Sequence, residues 1–280
     1  MIALKLGFMI YSLGRSLADG TLTVPGAFAL MKELGVEGVD ITGGHVAAHT
    51  TAEVKQMLAD AGLVTSAYIG GANLTMSDEA QRAEALDEIR AVIDTAAEYE
   101  TDNLLVTTGA CAQGQDKAEG RRNVAAGLAQ VLPHAEACGI TVSIEDFGSP
   151  LAPYQTSDEC METCELAGPG LKVTYDSGNM VMGDEDPVEF LHAVKSRMSH
   201  AHAKDWKLLP ADADKGLTSR AGKKYIGEVV GDGVLDYPAI IAALKDMGYE
   251  GFLSFEFEGA TDPVDAARRG VGYLRELMEG

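Results

Sequence analysis

Residues 139–176 read GITVSIEDFGSPLAPYQTSDECMETCELAGPGLKVTYD. Ile140–Glu145 is short, largely apolar and ends in a carboxylate. Ser157–Ala167 follows with helical spacing, and Leu171–Asp176 is again short, apolar and ended by a carboxylate. Runs of this kind suit parallel strands buried on both faces. The unit is strand, helix, strand, and it recurs in both directions along the chain.

Upstream, Glu119–Cys138 is a helix ended by Gly139, and Asn103–Thr108 is a strand. A long helix opens at Ser77, with Asp78 and Glu79 in its first turn, where acids suit the helix N-terminus. Before it come a strand at Leu63–Ile69, a helix at Ala52–Ala61 closed by Gly62, a strand at Val36–Thr42, and a helix at Val24–Leu34 closed by Gly35. Leu4–Ile10 is the first strand. Downstream, Pro187–Ser196 (helix), Met198–Lys204 (strand), Tyr237–Met247 (helix), Gly251–Glu256 (strand) and Pro263–Met278 (helix) complete the series. Eight strands, each followed by a helix, predict an α/β protein: a (β/α)8 TIM barrel, one domain over 1–280. An open doubly wound sheet would want a glycine-rich phosphate loop after its first strand, and Tyr11-Ser12-Leu13-Gly14 is not one.

The connection at about 206–236 is long and weakly periodic, and it holds Lys207, Lys215, Arg220, Lys223 and Lys224. It reads as a solvated loop or as a lid over the barrel mouth that could meet an anionic substrate.

Composition narrows the function. The chain has 280 residues, with 43 Asp+Glu against 22 Lys+Arg, a net charge of −21. That excludes a nucleic-acid partner, which needs a basic surface, and weakens any case for an anionic membrane. No run of about 18 apolar residues predicts a membrane-spanning helix. Met1–Ile10 reads as a strand rather than a signal peptide. Four cysteines are too few for a disulfide framework, and Cys160 and Cys164 read as small buried hydrophobes. A reducing, cytoplasmic setting is expected.

In such a barrel chemistry sits at the C-terminal strand ends. The last four strands end in Glu145-Asp146, Asp176-Ser177-Gly178-Asn179, His200-Ala201-His202-Ala203-Lys204-Asp205 and Glu256-Phe257-Glu258. One acid at a strand end is more often solvated or capping a helix. Four polar ends in phase converge on one point, where a bound cation would relieve the repulsion. One imidazole with three carboxylates suits Mn²⁺, Mg²⁺ or Co²⁺ better than a thiolate-rich structural zinc site. His202 lies nearer the rim than His200 and is the ligand of choice, leaving His200 deeper or supporting. His45 could touch substrate or be structural. Lys204 could reach a substrate oxygen or pair with Asp146 or Asp205. Trp206, Tyr11 and Tyr68 could wall a sugar pocket, and His134 and His192 lie in helices away from the rim.

These segments, with Gly231-Asp232-Gly233-Val234-Leu235-Asp236, resemble the xylose isomerase-like TIM barrels, in the branch of sugar phosphate isomerases/epimerases and ketose 3-epimerases. The resemblance spans essentially the whole chain. It implies metal ligands Glu145, Asp176, His202 and Glu256, with Glu145 and Glu256 doubling as the acid/base pair on opposite faces of the substrate. It implies one divalent metal ion, Mn²⁺ first, with Mg²⁺, Co²⁺ or Zn²⁺ as alternatives. It also implies a small carbohydrate substrate and a homo-oligomer, dimer or tetramer. His45, Asn179, Lys204, Asp205, Tyr11, Tyr68 and Trp206 are the expected substrate-binding set. Asn179 departs from the family, many of whose members carry a His there; an amide cannot carry a proton at neutral pH. Proton abstraction beside a ketone is the expected chemistry, giving isomerisation or epimerisation. A lyase on the same scaffold, like inosose dehydratase or a 3-keto-glycoside-cleaving enzyme, is the alternative.

Overall fold

A computed structural model describes residues 4–280; residues 1–3 of the 1–280 span, and of the Met1–Ile10 stretch, lie outside the described residues. The strands are β1 (Lys5–Met9), β2 (Gly38–Thr42), β3 (Val64–Gly70), β4 (Asn103–Val106), β5 (Thr141–Glu145), β6 (Lys172–Asp176), β7 (Met198–Ala203), β8 (Asp205–Leu209), β9 (Leu217–Thr218), β10 (Lys224–Glu228) and β11 (Phe252–Phe255). Eight of them close a parallel barrel in the order β1-β11-β7-β6-β5-β4-β3-β2. The predicted (β/α)8 barrel is the observed fold.

The helices are α1 (Gly14–Ala18), α2 (Val24–Glu33), α3 (Gly43–Val46), α4 (Thr51–Ala61), α5 (Glu79–Glu98), α6 (Lys117–Ala137), α7 (Ser157–Ala167), α8 (Pro187–Val194), α9 (Tyr237–Asp246) and α10 (Pro263–Glu279). Side-chain caps set where the longer ones begin. Thr50 and Glu53 form a reciprocal capping box on α4. Asp78 accepts from the Gln81 N–H, so α5 starts at Glu79, two residues after the expected Ser77. Asp116 accepts from the Ala118 N–H and starts α6 at Lys117 rather than Glu119. The space between barrel and helices is filled by buried side chains such as Phe28, Ile89, Leu128, Phe190 and Leu244.

The 206–236 segment, read from sequence as a solvated loop or a lid, contains regular structure. Here β8, β10 and β9 form a small antiparallel sheet beside the barrel mouth. Its pairing joins residues such as Trp206 and Gly227, a contact that local periodicity does not report. Two of its basic residues are ion-paired, Arg220 with Glu159 and Lys223 with Asp184, and Lys224 donates to the Ala213 carbonyl. Among the described residues no helix is long and apolar enough to cross a membrane.

Candidate metal centre and its cavity

Residues two apart on a strand share a face. On β7 this sends His200 and His202 inward, with Lys204 next beyond the strand end, and leaves Ala201 and Ala203 to the helix layer. Parallel register then aligns the neighbours: Asp176 pairs with His202 across β6–β7, and Ser254 pairs with His202 across β11–β7. Glu145 ends β5, and Glu256 follows β11 with its N–H donating to the Ala203 carbonyl at 2.9 Å.

Glu145, Asp176, His202 and Glu256 therefore meet, with one ligand atom of each lying within 4.8 Å of the others. His202 Nδ1 is 2.7 Å from Glu145 Oε1 and 3.3 Å from Glu256 Oε2. Glu145 Oε1, Asp176 Oδ2, His202 Nδ1 and Glu256 Oε2 are all buried, and apart from one another and the Lys204 ammonium 3.2 Å from Asp176 Oδ2 they have no polar partner. Buried polar atoms are rarely left unmatched. Four such atoms aimed at one point, three of them anionic oxygens and one an imidazole nitrogen, fit a divalent cation.

The other edge of each ligand is already committed. Asp176 Oδ1 accepts from the Gly178 and Asn179 N–H groups at 2.6 and 3.0 Å. Gly178 is required there, because a Cβ would come within 2.8 Å of the Lys204 carbonyl oxygen. Asn179 Nδ2 donates to Glu145 Oε2 at 3.2 Å and to the Asp146 carbonyl at 2.9 Å. His202 Nε2 lies 3.0 Å from Asp40 Oδ2. An acceptor there keeps the proton on Nε2 and turns the Nδ1 lone pair toward the centre. The same carboxylate oxygen receives His200 Nε2 at 2.9 Å, and Ser66 donates to Oδ1 at 2.5 Å.

Charge follows burial. Burial pushes the Glu145 carboxyl up to about 7 against the pull of His202. Burial also acts on Glu256, but Lys204 and His202 outweigh it and hold that carboxyl down at about 2. His202 is buried, which disfavours its charge, yet Glu145 and Asp40 raise its pKa well above the usual histidine range. Asp146 is buried with both carboxylate oxygens unpartnered; burial, then Asp176 and Glu145, raise its pKa well above the usual range.

The expected substrate residues divide. Lys204 is in the centre, but pairs with neither Asp146 nor Asp205. Its Nζ lies 2.7 Å from Glu256, 3.2 Å from Asp176 and 3.5 Å from Glu258. Tyr11, Trp206, Asn179 and Lys204 line a cavity of about 430 Å³ above the centre, as does the unpredicted Phe147. A second cavity of about 450 Å³, walled by Phe147, Pro153 and Tyr154, shares Glu145 and Thr107 with the first. His45 sits on α3, bonded to Thr42 and packed edge-on behind Tyr11, and does not line either cavity.

Two expectations are corrected. Tyr68 stacks on Tyr99 at 5.3 Å in the helix layer, outside the lumen. The register of β3 shifts opposite Val39/Asp40, so the alternation that would have turned Tyr68 inward is broken. Asp205 begins β8 and points away from the cavity. It accepts the Trp206, Gly231, Gly233 and Leu235 N–H groups and pins the 231–235 turn. Asp40 and Glu258 were missed. A lone acid between Val39 and Ile41 on an apolar strand is the signal that could have found Asp40.

The description "Xylose isomerase-like TIM barrel" matches residues 28–277, nearly the full barrel. The chain belongs to the xylose isomerase-like TIM barrel family. Within that family it is 31% identical over 129 residues to inosose dehydratase of Geobacillus thermodenitrificans, covering 44% of this chain and 43% of that protein. The chain thus aligns with less than half the length of the curated relatives it matches. In structure it is similar to D-allulose 3-epimerase from a Methylomonas species, with TM-score 0.77, 17% identity and 99% of each chain covered. It is also similar to the IOLI protein solved with a bound zinc atom, with TM-score 0.74, 16% identity, and 98% and 96% of the two chains covered. At these identities the structural likenesses establish the fold.

Proposed function

We propose that this family member is a divalent-metal-dependent isomerase or epimerase of a small sugar or keto-polyol. The convergence of four buried ligand atoms, three carboxylate oxygens and one imidazole nitrogen, below a sugar-sized cavity supports this reading. Glu145, Asp176, His202 and Glu256 would hold the cation. When bound, it would supply electrostatic stabilisation of the oxyanion that develops when a proton leaves carbon beside a carbonyl.

The protein's own groups do the rest. Glu145 and Glu256 stand on strands separated by β6 and β7, so a substrate carbon placed between them meets a carboxylate from two directions. One removes the α-proton and the other returns it, which inverts the centre; return to the neighbouring carbon gives isomerisation. Lys204 holds Glu256 in its ionised form and offers N–H donors toward substrate oxygens. Asn179, which cannot carry a proton, fixes Glu145 through its amide. Trp206, Tyr11 and Phe147 close apolar walls that limit water.

The inosose dehydratase match favours one second reading. A dehydratase begins with the same proton abstraction and then expels a β-hydroxyl, for which Lys204 and Glu258 are the nearby proton carriers. The test uses a panel of ketoses and inososes in deuterated water with Mn²⁺. Glu145→Gln and Glu256→Gln should each abolish deuterium incorporation while still binding metal in part. Full exchange in either variant overturns the acid/base assignment. Loss of water from the product selects the dehydratase.

A further inference from the structure

A second group of metal-ligating side chains stands on the outer face of the barrel. His134 lies in the last turn of α6, and Cys138 caps that helix one turn later. Residues four apart on a helix share one face. Across from them, α5 presents Asp94. His134 Nε2 is 2.8 Å from Asp94 Oδ1, and Cys138 Sγ is 3.8 Å from that oxygen and 3.9 Å from the nitrogen.

We infer that Asp94, His134 and Cys138 form a second metal site, selective for thiophilic divalent ions such as Zn²⁺. One oxygen, one nitrogen and one sulfur converge in a triangle. Tetrahedral zinc bonds of about 2.0, 2.0 and 2.3 Å place such atoms roughly 3.3–3.6 Å apart. The observed triangle needs to open by about half an ångström on its N–O edge and close slightly on its sulfur edges, movements that exposed side chains make freely. The site also sits at a helix C-terminus, where the partial negative charge of the last carbonyls favours a cation. The bound ion replaces the Cys138 thiol proton and any proton shared between His134 and Asp94, and leaves one tetrahedral position to water.

The donor set separates this site from the barrel centre. Three carboxylates and an imidazole suit hard ions, whereas a thiolate strongly favours Zn²⁺ over Mn²⁺ or Mg²⁺. Since α5 and α6 each supply a ligand, the ion ties the two helices together. Cys111, Cys160 and Cys164 are buried, so Cys138 alone among the four thiols is partly open to reagents.

The test is thiol chemistry on the Mn²⁺-loaded protein. One thiol should react quickly with Ellman's reagent, and micromolar Zn²⁺ should slow it at least tenfold. Replacing Zn²⁺ by Co²⁺ should give a thiolate-to-cobalt absorption in the near ultraviolet, which the thiolate-free barrel centre cannot produce. Cys138→Ser should remove the band, and His134→Asn, which keeps the thiol, should remove most of the protection. Unchanged labelling at saturating Zn²⁺ together with no thiolate–cobalt band overturns the assignment and leaves an Asp94–His134 ion pair beside a bystander thiol.

Discussion

His202 Nε2 stands 3.0 Å from Asp40 Oδ2, a contact between residues 162 apart in sequence that decides which ring nitrogen faces the candidate cation. Asp40 is wholly buried and is itself held by His200 and Ser66. Asp40→Ala should free the ring to rotate or change tautomer. Supports of this kind are worth roughly 10–100-fold in metal affinity. We expect Mn²⁺ to bind Asp40→Ala that much more weakly in a calorimetric titration, with the ligands themselves untouched. Unaltered affinity would show that barrel packing alone orients His202.

Lys204 Nζ touches Glu256, Asp176 and Glu258 from a fully buried position. Removing one partner of a buried charge group leaves the others uncompensated, at about 3–5 kcal/mol. Lys204→Met should therefore destabilise the metal-free protein by that order in urea unfolding. Saturating Mn²⁺ should restore more stability to this variant than to the parent, because the cation neutralises two of the same carboxylates. Equal metal-induced gains in both proteins would contradict the compensating role of Lys204.

The four clustered residues were legible because each stands at or near the end of its own strand. Glu145, Asp176, His202 and Glu256 need no long-range information beyond a barrel count that local runs and caps supply. What escaped the sequence depends on contacts between distant segments. Asp40 gains its role from β7 and from Ser66, which the shifted β2–β3 register presents to it. The same irregularity leaves Ser66 and Ile69, three residues apart, both facing the lumen, and turns Tyr68 outward. Asp205 was misread because the backbone leaves β7 at Lys204 and starts a new strand. The 206–236 sheet was invisible because its pairing is antiparallel and non-local.

Asp205 and Gly233 carry a prediction about that sheet. A Cβ at Gly233 would lie 2.0 Å from Asp205 Oδ1, so this turn closes over the carboxylate only with glycine there. Gly233→Ala should push the turn off Asp205, and Asp205→Ala should leave its four N–H donors without their acceptor, at about 1–3 kcal/mol for the buried one, Trp206, and less for those that water can reach. In hydrogen exchange, both variants should lose protection at 205–209 and 224–235 while the barrel strands stay protected. Since Trp206 walls the cavity, substrate KM should rise more than kcat falls. Protection lost evenly across the barrel would refute a local role.

Metal loading should depend on pH with a definite sign. Cation ligands must shed their protons to bind. In the metal-free protein Glu145 and Asp40 keep the imidazole of His202 protonated above its usual range despite burial. Burial meanwhile pushes the Glu145 carboxyl up to about 7, so below that pH it too carries a proton. Below about pH 7 the incoming cation must displace the Glu145 proton as well as that of His202; above it the Glu145 proton is already gone. Affinity should therefore rise with pH, with the slope of log K against pH falling by about one across neutrality. Titration calorimetry in buffers of different ionisation enthalpy counts the released protons directly. An affinity for Mn²⁺ that stays flat between pH 6 and 8, with no protons released, would mean that His202 and Glu145 are not ligands.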